Sequence, residues 1–253
     1  MPPDFKGYRA KIKRARQHLE ELGREIGRCV QTHGIHTYND PKTDEWVVEA
    51  SVPDDLFADL SVIASEVIYQ LRSALDHLVW QLVLANGKRP NEGMTGFPIF
   101  DSKTKYEKSG RPMIKGINNR AATIIDGLQP LGDSSHPLCL FHEMWNRDKH
   151  RLLNLTGIRF VAYSARYMNV MDRRVIHEII ADLDPGPWEN GAELYRFRHP
   201  DLFRPPEVEM IETFAWSPVF REAGPATGKG ATEFLGQLVN LVDGIGNQLI
   251  LTI

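Results

Sequence analysis

Three ionisable residues, Arg72, Asp76 and His77, lie inside an otherwise apolar stretch of leucine, valine and alanine. A buried charge is costly unless it is paired, so this stretch needs a structural or a chemical explanation. Arg72 and Asp76 are four residues apart and can form an ion pair on one helix. His77 lies about 140° from Arg72 around the same helix. One helix can therefore direct both side chains at one small ligand only if the helix bends or the long arginine side chain reaches around it. Otherwise a second copy of the helix must supply one of the two side chains.

A second polar cluster occupies residues 142–151. On a helix, Glu143, Asn146 and His150 share one face. The cations of this segment form the most basic patch of the sequence and can contact nucleic-acid phosphates. The predicted substrate-binding residues are Asn146, Lys149, His150 and Arg151. The alternative is a solvated charged face with cations at the C-terminus of a helix.

Carboxylates accompany both clusters, and the predicted supporting residues are Glu66, Asp76 and Glu143. A metal site built from Glu66, His77, Glu143 and His150 on facing helices is the less favoured interpretation. Carboxylate bundles of that kind repeat a Glu-x-x-His pair, and no such pair occurs twice here. The sequence therefore predicts neither a metal nor a cofactor.

Hydrophobic periodicity predicts the elements that must position these residues. Asp54 follows Pro53 as a helix-start signal, and Asn86-Gly87 is a stop signal. The predicted helices span 8–32, 54–86, 113–128, 138–155 and 232–251. The predicted strands are a hairpin over 35–50 and the segments 158–163, 175–180 and 208–215. Residues 89–110, rich in Pro, Gly, Lys and Asn, are predicted to form a long surface loop.

These elements predict an α+β fold that is mainly α. We expect an up-and-down helical bundle with an inserted or appended antiparallel sheet, because helices bracket the strands without βαβ alternation. A single domain over 1–253 is predicted, with helical core segments 8–32, 54–86, 112–156 and 232–251. The β-rich segment is 157–216.

Composition limits the classes of function. The chain has 42% hydrophobic and 25% charged residues, which is typical of a globular protein. Its net charge of -3 gives no global attraction for nucleic acid, so such binding needs a local patch. The two cysteines, Cys29 and Cys139, are expected to be buried free thiols. A signal peptide and a membrane-spanning segment are not expected, and the predicted location is the cytoplasm.

The spacing Arg72-x4-His77 resembles the R-x4-6-H motif of HEPN domains. This all-helical family includes metal-independent endoribonucleases of bacterial toxin–antitoxin and phage-defence systems. The resemblance implies a homodimer in which the motif's Arg and His meet at the interface and act on RNA. It implies that His77 is a general acid or base and that Arg72 binds the phosphate. A toxin or antiviral role and an antitoxin or defence partner are implied in the same way. Ser73 departs from the Asn, Asp or His that often follows the motif's arginine.

The alternative is a non-catalytic helical module for binding or dimerisation, in which Arg72, Asp76 and His77 hold the bundle together. Stability distinguishes the two hypotheses. Removing one member of a buried pair should cost several kcal/mol. Substituting a solvent-exposed catalytic residue should leave the stability nearly intact.

Overall fold

The structure is a computed structural model that describes residues 3–32, 34–52, 54–149, 155–169, 171, 173, 175–181, 188–198, 208–220 and 228–253. Its helices are α1 (Lys6–Thr32), α2 (Asp54–Ala85), α3 (Lys103–Lys105), α4 (Arg111–Met113), α5 (Asn119–Gly127), α6 (Pro137–Asp148) and α7 (Ala231–Ile250). A π-helical turn, Tyr106–Gly110, joins α3 to α4. Its strands are β1 (Gly34–Asp40), β2 (Glu45–Ser51), β3 (Leu155–Asn169), β4 (Val175–Ala181), β5 (Glu193–Phe197) and β6 (Val208–Phe220).

Helix α2 is the centre of the core, and α1, α6 and α7 pack against it. It is apolar on more than one face, so several neighbours can cover it. Its fully buried positions are Ala64, Val67, Ile68, Leu71, Ala74, Leu75, Leu78, Val79 and Val83. The helix ends as predicted, because Gly87 adopts a positive φ of 66°. The Lys88 N–H then donates to the Val83 carbonyl at 3.1 Å, which satisfies a terminal carbonyl of the helix.

Among the described residues, the strands form two antiparallel three-stranded sheets, ordered β1-β2-β5 and β4-β3-β6. The predicted hairpin is confirmed as β1 and β2, and the three predicted later strands correspond to β3, β4 and β6. Strand β5 was not predicted, and it pairs with β2. Val48, Ala165 and Phe197 form a small apolar cluster between the two sheets. The single predicted sheet is therefore two sheets that contact each other.

The prediction of one surface loop over 89–110 is wrong in two places. Residues 96–99 are buried in the core, and residues 103–110 are helical. The Ser102 side chain accepts from the Lys105 N–H and so starts the helical segment. The buried stretch is possible because side chains of distant residues satisfy its backbone.

The helices predicted over 113–128 and 138–155 are too long. The first begins only at Asn119, because Gly116 adopts a positive φ of 101° and Asn118 caps the Ala121 N–H. The second ends at Asp148, and Leu155 is already the first residue of β3. The Leu155 N–H donates to the Ser61 hydroxyl at 3.0 Å, which ties the start of the strand to α2.

The chain is a mixed α+β protein that is mainly helical, as predicted. The HEPN-like bundle topology and the single domain over 1–253 stay predictions. Both cysteines are buried free thiols, which confirms that expectation. Within the described ranges, every helix is too short or too polar to cross a lipid bilayer.

Candidate functional site

Arg72 lies inside the protein and is bound to Asp76. Its Nε donates to Asp76 Oδ2 at 3.1 Å, and its Nη2 donates to Asp76 Oδ1 at 2.8 Å. Arg72 is only 8% exposed, whereas the Asp76 side chain is 38% exposed. The intrahelical pair expected from the i,i+4 spacing is therefore confirmed, and its two parallel bonds fix the plane of the guanidinium.

The pair holds the backbone of Phe97, which belongs to the buried extended segment. Asp76 Oδ1 accepts from the Phe97 N–H at 2.9 Å, and Arg72 Nη2 donates to the Phe97 carbonyl at 2.8 Å. A Cβ on Gly96 would lie 2.9 Å from Asp76 Oδ1, so the chain approaches too closely for a side chain there. Two charged side chains thus take the place of a neighbouring strand for this segment.

Gln129, which follows α5, also holds the backbone of the buried extended segment. Its Nε2 donates to the Pro98 carbonyl at 3.1 Å and to the Ile125 carbonyl at 3.0 Å. Its Oε1 accepts from the Phe100 N–H at 3.2 Å. Because Gln129 is 8% exposed, these bonds satisfy polar groups that water does not reach readily. The buried segment is held by three side chains from two helical regions.

His77 is exposed and lies in a cleft of about 410 Å³. The cleft is lined by Asp76, His77, Trp80, Gln81, Glu92 and Thr95. On its other side the imidazole packs against the first turn of α1. A Cβ on Gly7 would lie 2.9 Å from His77 Nδ1, so Gly7 leaves room for the ring. The structure therefore places His77 beside carboxylates and an indole, at the edge between α1 and α2.

Arg72 and His77 point to different surroundings, as the helical wheel predicts. The guanidinium is enclosed beneath the cleft, and the imidazole faces the solvent. Asp76 connects the two, because it binds Arg72 and also lines the cleft of His77. Within one chain, the structure brings His77 and Asp76 to one site and leaves Arg72 behind Asp76.

The other predicted residues are dispersed. Glu66 binds His18, with Oε2 3.0 Å from His18 Nδ1, so it supports α1 rather than the cleft of His77. Asn146 and Lys149 are exposed near the end of α6, and Glu143 lines a different cleft. His150 and Arg151 lie outside the described residues. Across the part of the chain that is described, no three His, Cys, Asp or Glu side chains gather in a way that could hold a metal ion.

His142 was missed as an individual candidate. It lies on α6 beside a cleft of about 320 Å³ that also contains Asp101 and Lys105. Among the described residues, neither its buried Nδ1 nor the buried Arg72 Nη1 has a hydrogen-bond partner. Burial lowers the pKa of His142, the positive charges of Arg72 and Lys149 lower it further, and Asp101 opposes them. The sequence offered no signal, because the histidine reaches Arg72 only after α6 packs on α2.

The lowered pKa of His142 predicts acid destabilisation. In the unfolded chain the imidazole takes up a proton near pH 6.5, whereas the folded protein resists protonation until a lower pH. The resulting contribution to stability is complete above about pH 6.5 and is lost as the pH falls through the folded pKa. We expect His142→Gln to reduce the loss of urea-unfolding free energy on acidification. His36→Gln, at an exposed position on β1, is the matched control. An unchanged pH dependence in His142→Gln would contradict this assignment.

The fold and the site thus define a mainly helical α+β protein with an exposed histidine cleft at the edge of its central helix. Comparison of the chain with protein-family models, with curated proteins and with solved structures gave no match.

Proposed function

We propose that the chain is a metal-independent endoribonuclease of the HEPN type, in which His77 carries a proton transfer. The observation that carries the proposal is the cleft of His77, which holds an exposed imidazole together with the carboxylates of Asp76 and Glu92. Two groups that exchange protons are what general acid–base cleavage of a phosphodiester requires. The spacing of Arg72 and His77 supports the same family.

The proposed reaction uses the substrate's own nucleophile. The ribose 2′-oxygen attacks the adjacent phosphorus, its proton passes to a base, and the bond from phosphorus to the 5′-oxygen breaks. The departing 5′-oxygen receives a proton from an acid. The products are a 2′,3′-cyclic phosphate and a 5′-hydroxyl. His77 serves one transfer, and Glu92 is the candidate for the other, because Asp76 already accepts bonds from Arg72 and Phe97.

Arg72 takes a different role in this proposal from the one that the family resemblance implies. A guanidinium that is bound to Asp76 and to the Phe97 carbonyl is not presented to a phosphate. Its remaining nitrogen, Nη1, is buried, so a second protomer could reach the guanidinium only if the surrounding side chains moved. We therefore assign Arg72 as a positioning residue that fixes Asp76 in the wall of the cleft. The charge that develops on the phosphate must be offset by other cations.

The test uses wild-type protein and a short single-stranded RNA in EDTA. We expect cleavage that leaves a 2′,3′-cyclic phosphate, detected by mass spectrometry. We also expect no cleavage at a position where one ribose is replaced by 2′-deoxyribose, because the nucleophile is then missing. Cleavage at the deoxyribose position, loss of cleavage in EDTA, or no cleavage of any RNA would overturn the proposal.

The second candidate function is a non-catalytic helical module for binding or dimerisation. It is favoured by the Arg72–Asp76 pair, which holds the Phe97 backbone as a structural clamp does. In this hypothesis the protein leaves RNA intact. A homodimer, an antitoxin or a defence partner is compatible with both candidates, and all three remain proposals that rest on the family resemblance.

A further inference from the structure

An exposed row of aromatic and cationic side chains crosses three helices. The Tyr69 and Trp145 ring centroids lie 5.8 Å apart, with their planes tilted by 41°. Lys11 Nζ lies 5.4 Å from the centroid of Tyr69, and Lys149 Nζ lies 4.6 Å from the centroid of Trp145. We call these four residues, which lie on α1, on α2 and at the C-terminal end of α6, the aromatic–lysine row.

The row is open to solvent. Tyr69 is 49% exposed, Lys149 is exposed, and Lys11 and Trp145 are half-buried. A half-exposed tyrosine contributes less hydrophobic stabilisation than a fully buried ring, because only part of its surface is removed from solvent. Its exposure leaves an aromatic surface for a ligand.

The positive charge of the row comes from its own lysines, Lys11 and Lys149. Arg147 lies two residues after Trp145, about 200° around α6, so it shares the face of Glu143 and not that of the row. The nearest acid along α2 is Glu66, which is engaged by His18 at 3.0 Å. Glu143, two residues before Trp145, lines the cleft beside His142 instead. The row itself therefore contains two lysines and no carboxylate, and the carboxylates Glu66 and Asp148 lie three residues from its rings on α2 and α6.

The row leads to the cleft of His77. Tyr69, Ser73 and His77 follow one another at intervals of four residues on α2, which places them along one stripe. Eight residues separate Tyr69 from His77, or about 12 Å along the helix axis. On α1, Lys11 is one turn beyond Gly7, the residue that packs against His77. The seam between α1 and α2 thus connects the row to the cleft.

We propose that the aromatic–lysine row binds single-stranded RNA and directs it into the cleft of His77. Bases would stack on Tyr69 and Trp145, while Lys11 and Lys149 contact the phosphates. Stacking on aromatic rings beside cations is how proteins hold single strands without reading their sequence. A duplex is excluded because its bases are already stacked on each other. The proposal rests on the proposed function, and it supplies the cations that the enclosed Arg72 does not provide.

The test measures binding separately from cleavage. The probe is a short fluorescein-labelled RNA with 2′-O-methyl groups, which cannot be cleaved by the proposed chemistry, and binding is followed by fluorescence anisotropy. We expect the double variant Tyr69→Ala/Trp145→Ala to bind about 30-fold more weakly or worse, because each stacked base contributes at least about 1 kcal/mol. Tyr69→Phe/Trp145→Phe keeps both rings and should bind within a few-fold of wild type.

The lysines are tested through the salt dependence. We expect Lys11→Gln/Lys149→Gln to lower the slope of log affinity against log salt concentration by about 1.4, since each phosphate contact on a single strand contributes about 0.7. Tyr38→Ala removes a similarly exposed tyrosine, on β1 away from the row, and should leave binding unchanged. Melting temperatures of all variants show whether each one is folded.

The outcomes separate this inference from the proposed function. Weakened binding in a folded Ala variant, with no cleavage of ordinary RNA by wild type, supports the row and rejects the endoribonuclease. If wild type cleaves RNA and the Ala variant binds and cleaves it equally well, the proposed role of the row is rejected and the endoribonuclease proposal stands. Three other results would overturn the proposed role of the row. They are an equal loss of RNA affinity in the Phe and Ala variants, equal affinity of wild type for single-stranded and duplex RNA, and no binding of the probe by wild type.

Discussion

Replacing Arg72 by alanine is expected to lower the free energy of unfolding by about 3 kcal/mol, the lower end of what breaking a buried pair costs. The substitution leaves the Phe97 carbonyl without its donor and Asp76 without its counter-charge. Asp76 remains partly solvated, since its side chain is 38% exposed, and this limits the penalty. Urea unfolding of wild type and variant measures the difference.

The matched control is Arg166→Ala, which removes an arginine from an exposed pair with Glu178. An exposed ion pair contributes little, so the expected change is within about 1 kcal/mol. A second check is the double-mutant cycle of Arg72→Ala and Asp76→Ala, in which we expect a coupling of about 1 kcal/mol or more. If Arg72→Ala were as mild as Arg166→Ala, Arg72 would not clamp the buried segment, and its assignment as a positioning residue would be wrong.

Local signals predicted the helical frame well. Helix α2 combines an acidic start, a long apolar stretch and a glycine stop, so three independent features agreed on its limits. Strand β5 escaped prediction because it is short and pairs with β2, whose residues lie about 150 positions earlier in the chain. Pairing over such a distance leaves no mark in local periodicity.

The buried extended segment was missed for a related reason. Its composition is that of a surface loop, and what allows its burial is the side chains of Arg72, Asp76 and Gln129. The sequence did predict that Arg72 and Asp76 can pair and that Arg72 diverges from His77, because both follow from positions on one helix. It could not predict what the pair holds.

The candidate site was likewise predictable only where its residues lie on one helix. His77 was predicted from the motif on one helix, whereas its neighbour Glu92 comes from a separate loop. The aromatic–lysine row is assembled from α1, α2 and α6, so no spacing in the sequence relates Lys11 to Tyr69 or Tyr69 to Trp145. Relations between elements require the packed structure.

The substitution His77→Ala is expected to reduce RNA cleavage by about 10²- to 10⁴-fold, the usual contribution of a general acid or base. It should change the melting temperature little, because the imidazole is exposed and lies at the edge of a cleft. Single-turnover cleavage in EDTA, with enzyme in excess over RNA, measures the chemical step. His77→Ala and wild type should bind the 2′-O-methyl RNA with similar affinity, because the aromatic–lysine row is intact in both.

Two control variants distinguish a catalytic role of His77 from a structural one. His36→Ala removes an exposed histidine on β1 and should cleave as wild type does. Arg72→Ala should lose activity together with stability, so its defect should recover in part at lower temperature, where more of the protein is folded. The defect of His77→Ala should persist at every temperature, because it lies in the reaction itself. Undiminished cleavage by a folded His77→Ala would exclude His77 from the chemistry. A loss of cleavage that followed the melting curve of His77→Ala would give His77 a structural role, and the non-catalytic binding module would become the better hypothesis.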